Sequence, residues 1–207
     1  MKLLPLLFIM FCQFMCADSP LTSINIHKAY LEYPIVKSAV DSDGRLSKQL
    51  MVYLLDDTKP QAIKLAIINA IGWNHNNKNS RFYRNQIIKT KNYTSEFGDK
   101  YTVFLWNATA EELLFYSYMK ALENYWQPLM VFEYLNRAIE KDPKNLNIRL
   151  IYELSKSQVL YEINEKGFAN KNMNVVTSNI KNSNDKNNLN MNALAYFESY
   201  FKLIKKP

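Results

Sequence analysis

The sequence predicts a mainly α fold in which helical hairpins pack as an α-α bundle, and three observations predict it. The chain has only 4 glycines, and Pro-Gly or Asn-Gly turn signals are few, so tight hairpin turns between strands lack their usual residues. Strict alternation of polar and apolar residues is nearly absent. Helix punctuation recurs instead, with capping residues before apolar runs and glycine or proline after them. At most a minor extended segment near residues 100–106 is expected.

The first element is a leader. Lys2 is followed by an apolar run from Leu3 to Met15 and then by the polar break Ala17-Asp18-Ser19-Pro20, the order of a secretory signal peptide. Pro5 and Gln13 interrupt the run, which is short for a permanent span. Residues 1–17 are therefore expected to be removed, leaving a single mainly helical domain over 18–207. Both cysteines, Cys12 and Cys16, fall in the leader, so cleavage after Ala17 leaves no thiol for disulfides, metal sites or nucleophilic chemistry. A signal ending before Cys16 would instead make that residue a lipid anchor. The whole chain carries a formal charge of +7, and the leader removes only Lys2 from that balance.

Asp43 and Gly44 precede an apolar-rich helix over 46–55. Thr58 is expected to cap the next one, with Pro60 in its first turn and Gly72 at its C-terminus. Ala62, Ile63, Leu65, Ala66, Ile67, Ile68, Ala70 and Ile71 leave it few polar positions, which predicts burial on most sides. A shorter helix spans 80–88. The stretch 93–106 reads as a loop or short extended segment, because Thr102-Val-Phe-Leu-Trp106 favours a strand.

Thr109-Ala-Glu-Glu112 is a capping box, in which Thr109 and Glu112 satisfy each other's backbone N–H groups. The helix behind it keeps a narrow polar stripe of Glu112, Lys120, Glu123 and Gln127. Its aromatic load, with Phe115, Tyr116, Tyr118, Tyr125, Trp126, Phe132 and Tyr134, reads as core at helical spacing. Pro128 opens the next helix, with Glu133 and Arg137 spaced as an i,i+4 ion pair, and Asp142-Pro143 ends it. A further helix runs over 145–166 and stops at Gly167. Asn, Lys and Ser crowd residues 170–192, which reads as a long loop. A final amphipathic helix carries Leu194, Phe197, Phe201 and Ile204.

Within this pattern, Arg137-Ala-Ile-Glu-Lys-Asp-Pro143 resembles the end of the second helix of a tetratricopeptide repeat. A register of about 34 residues then places Phe115, Tyr118, Met119 and Leu122 in a first helix and Val131 and Leu135 in the second. Ala138 and Pro143 are the family's own residue types. The resemblance covers about residues 110–143 and implies one helical hairpin, or a short superhelix if its neighbours stack likewise. What it implies for function is binding to another protein.

Chemical motifs are sparse. Ala39, Asp41, Asp43 and Gly44 fall at calcium-loop positions, but Ala39 and Leu50 stand where acids are needed. The chain has 2 histidines, His27 and His75, without metal-ligand spacing, and no metal or other cofactor is expected. No nucleophile elbow or phosphate-cradling glycine loop is present. The adjacent carboxylates Glu111-Glu112 and Asp56-Asp57 suit helix ends. Trp73 and His75 form a candidate surface loop after the buried helix.

One charge feature stands out. From Thr58 to Ser95 there is no acid, while Lys59, Lys64, Lys78, Arg81, Arg84, Lys89 and Lys91 are all present. Lys78, Arg81, Arg84, Lys89 and Lys91 are candidate anion-binding residues, with Phe82 and Tyr83 interleaved. For an exported protein the expected target is an anionic envelope glycan or lipid headgroup rather than nucleic acid.

These features lead to the expectation of a non-enzymatic, exported helical scaffold of the bacterial periplasm or envelope that binds another protein, with an immunity protein as a narrower form. The alternatives are an envelope glycan-acting enzyme using two carboxylates that converge only in space, or a binder of anionic polymers through the 58–95 segment.

Overall fold

The capping box at Thr109 forms as expected. Thr109 Oγ accepts from the Glu112 N–H at 3.2 Å, and Glu112 Oε2 accepts from the Thr109 N–H at 2.8 Å. The helix it starts is one of the two on which the molecule is built. The computed structural model describes residues 19–73, 78–93, 98–185 and 187–203. Among them there is no strand, and the fold is mainly α. The helices are α1 (Pro20–Ser23), α2 (Pro34–Val40), α3 (Lys48–Leu55), α4 (Gln61–Ile71), α5 (Asn79–Thr90), α6 (Lys100–Asn107), α7 (Ala110–Glu123), α8 (Phe132–Lys141), α9 (Leu146–Glu162), α10 (Lys166–Lys181) and α11 (Met191–Leu203), with 3-10 turns at Ile26–Tyr30 and Pro128–Val131.

Helices α4 and α7 pack against each other and form the centre. Leu65, Ala66 and Ile67 of α4 and Leu113, Leu114 and Phe115 of α7 are fully buried, which is what their nearly unbroken apolar sequences require. Asn69 joins three parts of this core. Its Nδ2 donates to the Ile24 carbonyl and to the Tyr118 hydroxyl, each at 2.9 Å, while its Oδ1 accepts from the His27 backbone at 3.0 Å. A buried amide with all its groups used fixes the N-terminal segment on α4 and α7.

The other helices wrap this pair. Helices α7 and α8 pack side by side with Ala138 fully buried in α8, and α9 and α10 form a longer hairpin. Helix α11 lies against both α10 and the Ile26–Tyr30 turn. There the Asn190 N–H donates to the Tyr30 hydroxyl at 2.8 Å. At the other end, Ser19 Oγ donates to Gln158 Oε1 at 2.5 Å. The N-terminal segment therefore meets α9 at Gln158 and, through the Ile26–Tyr30 turn, the last helix α11, and the helices close on themselves as a bundle. Among the described residues no helix is long and apolar enough to cross a membrane.

Several local expectations are corrected. The extended segment near 100–106 is helix α6, because the Asp99 carboxylate caps it, accepting from Tyr101 N–H at 2.7 Å and Thr102 N–H at 3.0 Å, and Val103 and Phe104 turn into the core. The loop expected over 170–192 is mostly helix α10. Ala169, Met173, Val176 and Ile180 recur every three or four residues and are buried, so a heptad stripe lies inside the Asn- and Lys-rich composition.

Gly167 does not end the preceding helix but sits inside α10. The break falls at Asn164, whose φ of 64° is the left-handed conformation asparagine tolerates. Thr58 caps no helix: its N–H and hydroxyl both donate to Asp56 Oδ1, at 2.9 and 2.6 Å, and α4 starts after Pro60. Gly72 does terminate α4, with φ 63°. Arg137 pairs with Glu140 at 2.8 Å rather than with Glu133, and its guanidinium lies 4.4 Å from the Trp106 ring centroid. Residues 1–17, including Cys16, and His75 lie outside the described residues.

Candidate functional site

The acid-free segment does not fold into one basic stripe. Lys59 lies 3.7 Å from Asp56, Lys64 is buried against Glu111, and Lys91 pairs with Glu112 at 2.7 Å. Those three charges are met within the chain, so Lys91 leaves the anion-binding set. Lys78, Arg81 and Lys89 remain exposed. Among the described residues no carboxylate lies within 4.0 Å of them or of Arg84.

Arg84 differs from the rest because it points inward. It is 4% exposed, with its guanidinium carbon 4.1 Å from the Tyr101 ring centroid and 6.0 Å from that of Tyr116. Tyr116 in turn packs on Phe104 at 5.1 Å and on Tyr134 at 4.8 Å. The buried Nε has no hydrogen-bond partner among the described residues, and Nη2 reaches Asn85 Oδ1 only at 3.5 Å. The hydrogen bond and charge of Arg84 lower the Tyr101 phenol below its ordinary range, and Lys120 and Arg81 act in the same direction. Burial pushes the neighbouring Tyr116 and Tyr134 the opposite way.

One end of the molecule gathers aromatic and apolar side chains in solvent. Trp73, just beyond α4, meets Tyr125 edge to face at 5.6 Å, and Tyr125 meets Trp126 at 5.0 Å. Trp73 is 43% and Trp126 49% exposed, next to Leu129 at 63% and Met130 at 54%. Trp126 is thus not the core residue its spacing predicts, since α7 ends at Glu123 and the chain leaves the buried face there, while Tyr125 still packs, partly buried, against the core. The Glu123 carboxylate accepts from the Ser80 N–H at 2.8 Å and from its hydroxyl at 2.6 Å. That caps α5 from a distance and sets Lys78 and Arg81 beside the aromatic end.

A polar cleft of about 340 Å³ opens on another face, lined by Asp57, Glu111, Asp142 and Asp185 with Lys59 and Lys144 among them. At its base the Glu111 carboxylate accepts from Lys64 Nζ and, at 3.0 Å, from Gln61 Nε2. Gln61 Oε1 accepts from Asn147 Nδ2 at 2.7 Å. These contacts make Glu111 an anchor between α4 and α7 and tie Gln61 through Asn147 to α9. Among the described residues no group of three or more His, Cys, Asp or Glu is placed to hold a metal ion.

No protein-family model, curated protein or solved structure matches the chain. The functional reading rests on these surfaces alone.

Proposed function

We propose that this protein is a non-enzymatic helical scaffold, exported by its leader-like residues 1–17, that binds another protein through the aromatic end. The observation that carries this reading is the cluster of Trp73 and Trp126, each nearly half exposed and each set edge to face against the partly buried Tyr125, beside the solvent-facing Leu129 and Met130. Large aromatic side chains bring much apolar area to an interface at little cost in rotamer entropy, and they dominate binding energy where they cluster. Grouped exposed apolar residues mark interaction sites in a way that scattered ones do not. The backing is rigid, because the cluster sits where α4 and α7 end and the Ser80–Glu123 contact ties α5 to the same place. The tetratricopeptide-like register over 110–143 runs through this loop, which agrees with a protein ligand.

The test is site-specific photocrosslinking in the native host. A photoreactive residue at Met130 is expected to yield one discrete adduct that a second change, Trp126→Ser, abolishes. The same probe at Val52, 70% exposed on α3, supplies the background. Products at Met130 no different from those at Val52 would remove the reading. Sequencing the mature N-terminus tests export: a start at Asp18 or an acylated Cys16 supports it, and an intact Met1 in the cytoplasmic fraction refutes it.

A further inference from the structure

A buried guanidinium must be compensated, because taking a cation out of water costs several kcal/mol unless charge and hydrogen bonds replace the solvent. Arg84 is 4% exposed, and among the described residues no carboxylate stands within ion-pair distance to meet its charge. The Tyr101 face and the more distant Tyr116 ring supply cation–π attraction, and both phenols are hydrogen-bond partners of the guanidinium, neither of them an anion at neutral pH. Among the described residues its Nε is unpartnered and the Asn85 contact is long, so not all of the five N–H donors an arginine carries are used. The acid that senses Arg84 is Asp99. Its carboxylate is already used by the Tyr101 and Thr102 backbone N–H groups, and it lies beyond ion-pair distance. Two more cations border the spot. Arg81 precedes Arg84 by one helical turn of α5, and Lys120 comes from α7, where it only grazes Glu123 at 3.9 Å. Tyr101 lies over the guanidinium and is 55% exposed, so rotation of this one side chain uncovers the donors.

We infer that Arg84, with Tyr101 as its cover and Arg81 and Lys120 at its rim, is a binding site for a single tetrahedral oxyanion of the phosphate or sulfate class. An oxyanion seated there accepts from the guanidinium edge and the phenol together, and the arginine's charge is met. The donors arrive from three helices, α5, α6 and α7, which suits a tetrahedral group better than a planar one. This site is separate from the aromatic end and does not depend on the protein-binding reading.

The test measures thermal unfolding and calorimetric binding of the full chain with inorganic phosphate, against sodium chloride at equal ionic strength. Saturable stabilisation by phosphate is expected, because a ligand that binds only the folded state raises its stability with concentration. Arg84→Gln should weaken binding at least about tenfold and Arg81→Gln about threefold. Arg81 is exposed, so that second variant folds whatever Arg84→Gln does. The tyrosinate absorbance of Tyr101, isolated by difference from Tyr101→Phe, gives an independent readout. Phosphate should move its ionisation to higher pH in the native chain. Equal stability in phosphate and chloride, or phosphate stabilisation that survives Arg81→Gln undiminished, overturns the site.

Vesicles of phosphatidylglycerol and of phosphatidylcholine identify the source. Capture by the former that free phosphate displaces makes the oxyanion a headgroup phosphate, and phosphate binding without capture makes it the free ion. Capture that ignores excess phosphate and persists in Arg81→Gln counts against the site.

Discussion

Lys64 and Glu111 form an ion pair whose halves see different surroundings: the lysine side chain is fully buried, while the carboxylate is 30% exposed at the base of the polar cleft. The ammonium also lies 5.6 Å from the Phe115 ring centroid. A charge placed there is tolerable only because Glu111 stands at the first turn of α7, where its neighbour Gln61 holds it. The pair thus fixes the rotation of α4 against α7.

The asymmetry predicts unequal losses. Glu111→Gln leaves an uncompensated ammonium in the core and should cost about 2–3 kcal/mol, below the full penalty of a broken buried pair because the carboxylate is partly solvated. Lys64→Met removes the buried charge, keeps the stem's packing and leaves a carboxylate that water can reach. Its cost should be about 1 kcal/mol or less. Urea unfolding of both variants checks this, and a larger loss for Lys64→Met would reverse the argument.

Glu112 closes the capping box with Thr109, pairs with Lys91 of the segment after α5, and accepts from the Tyr93 hydroxyl at 3.4 Å. Thr109→Ala should cost about 1 kcal/mol, the usual loss of an N-cap. Glu112→Ala should cost more, about 2 kcal/mol, since the Thr109 N–H and the Lys91 ammonium lose one shared partner. Equal losses in chemical denaturation would mean that the Lys91 contact contributes nothing to stability.

How much of this could be read from the chain follows from what is local. Helices α4 and α7 were legible because their start signals and apolar phase agree within one segment. Helix α6 was hidden, since Thr102-Val-Phe-Leu-Trp106 has strand propensity and only the Asp99 cap and contacts to distant helices override it. In α10 the buried stripe was masked by composition, because polar residues lie between Ala169, Met173, Val176 and Ile180, with Asn174 and Asn179 exposed and Asn170 itself buried. The same limit applies to the sites. Arg81 and Lys78 are visible as charge, but the burial of Arg84 depends on Tyr101, which α6 supplies. The exposure of Trp126 depends on α7 stopping at Glu123, one residue after the buried Leu122. Gln127-Pro128 requires the helix to stop only by residue 127, after the aromatic pair, so the end at Glu123 is not set by the proline.

His27 gives the protein an acid-side dependence. The half-buried imidazole shares Asn69 Oδ1 with its own backbone N–H, with Nδ1 at 2.8 Å, and burial lowers its pKa from 6.5. The folded state therefore binds the proton less readily than the unfolded one, so stability is complete above the unfolded value and falls as pH drops through 6.5. His27→Gln should flatten the change in urea midpoint across that window. An unchanged slope would assign the dependence to other groups.

On the alkaline side the tyrosines divide. Burial raises Tyr30 from 10.0 to about 12 and lifts Tyr83 and Tyr118 as well, whereas Arg84 lowers the exposed Tyr101. The unfolded chain releases the buried phenolic protons first, so these residues stabilise the fold below pH 10 and that contribution is lost as pH rises toward their folded values. Tyr101 has the opposite sign, ionising in the folded protein before any unfolding. Tyrosinate absorbance should therefore rise in two stages, an early one abolished by Tyr101→Phe with circular dichroism unchanged, and a late one that coincides with loss of helix. Replacing Arg84 by Gln should push the early stage up into the ordinary range. A single stage in the native chain, or an early stage indifferent to Arg84, would contradict the placement of that guanidinium beneath the Tyr101 ring.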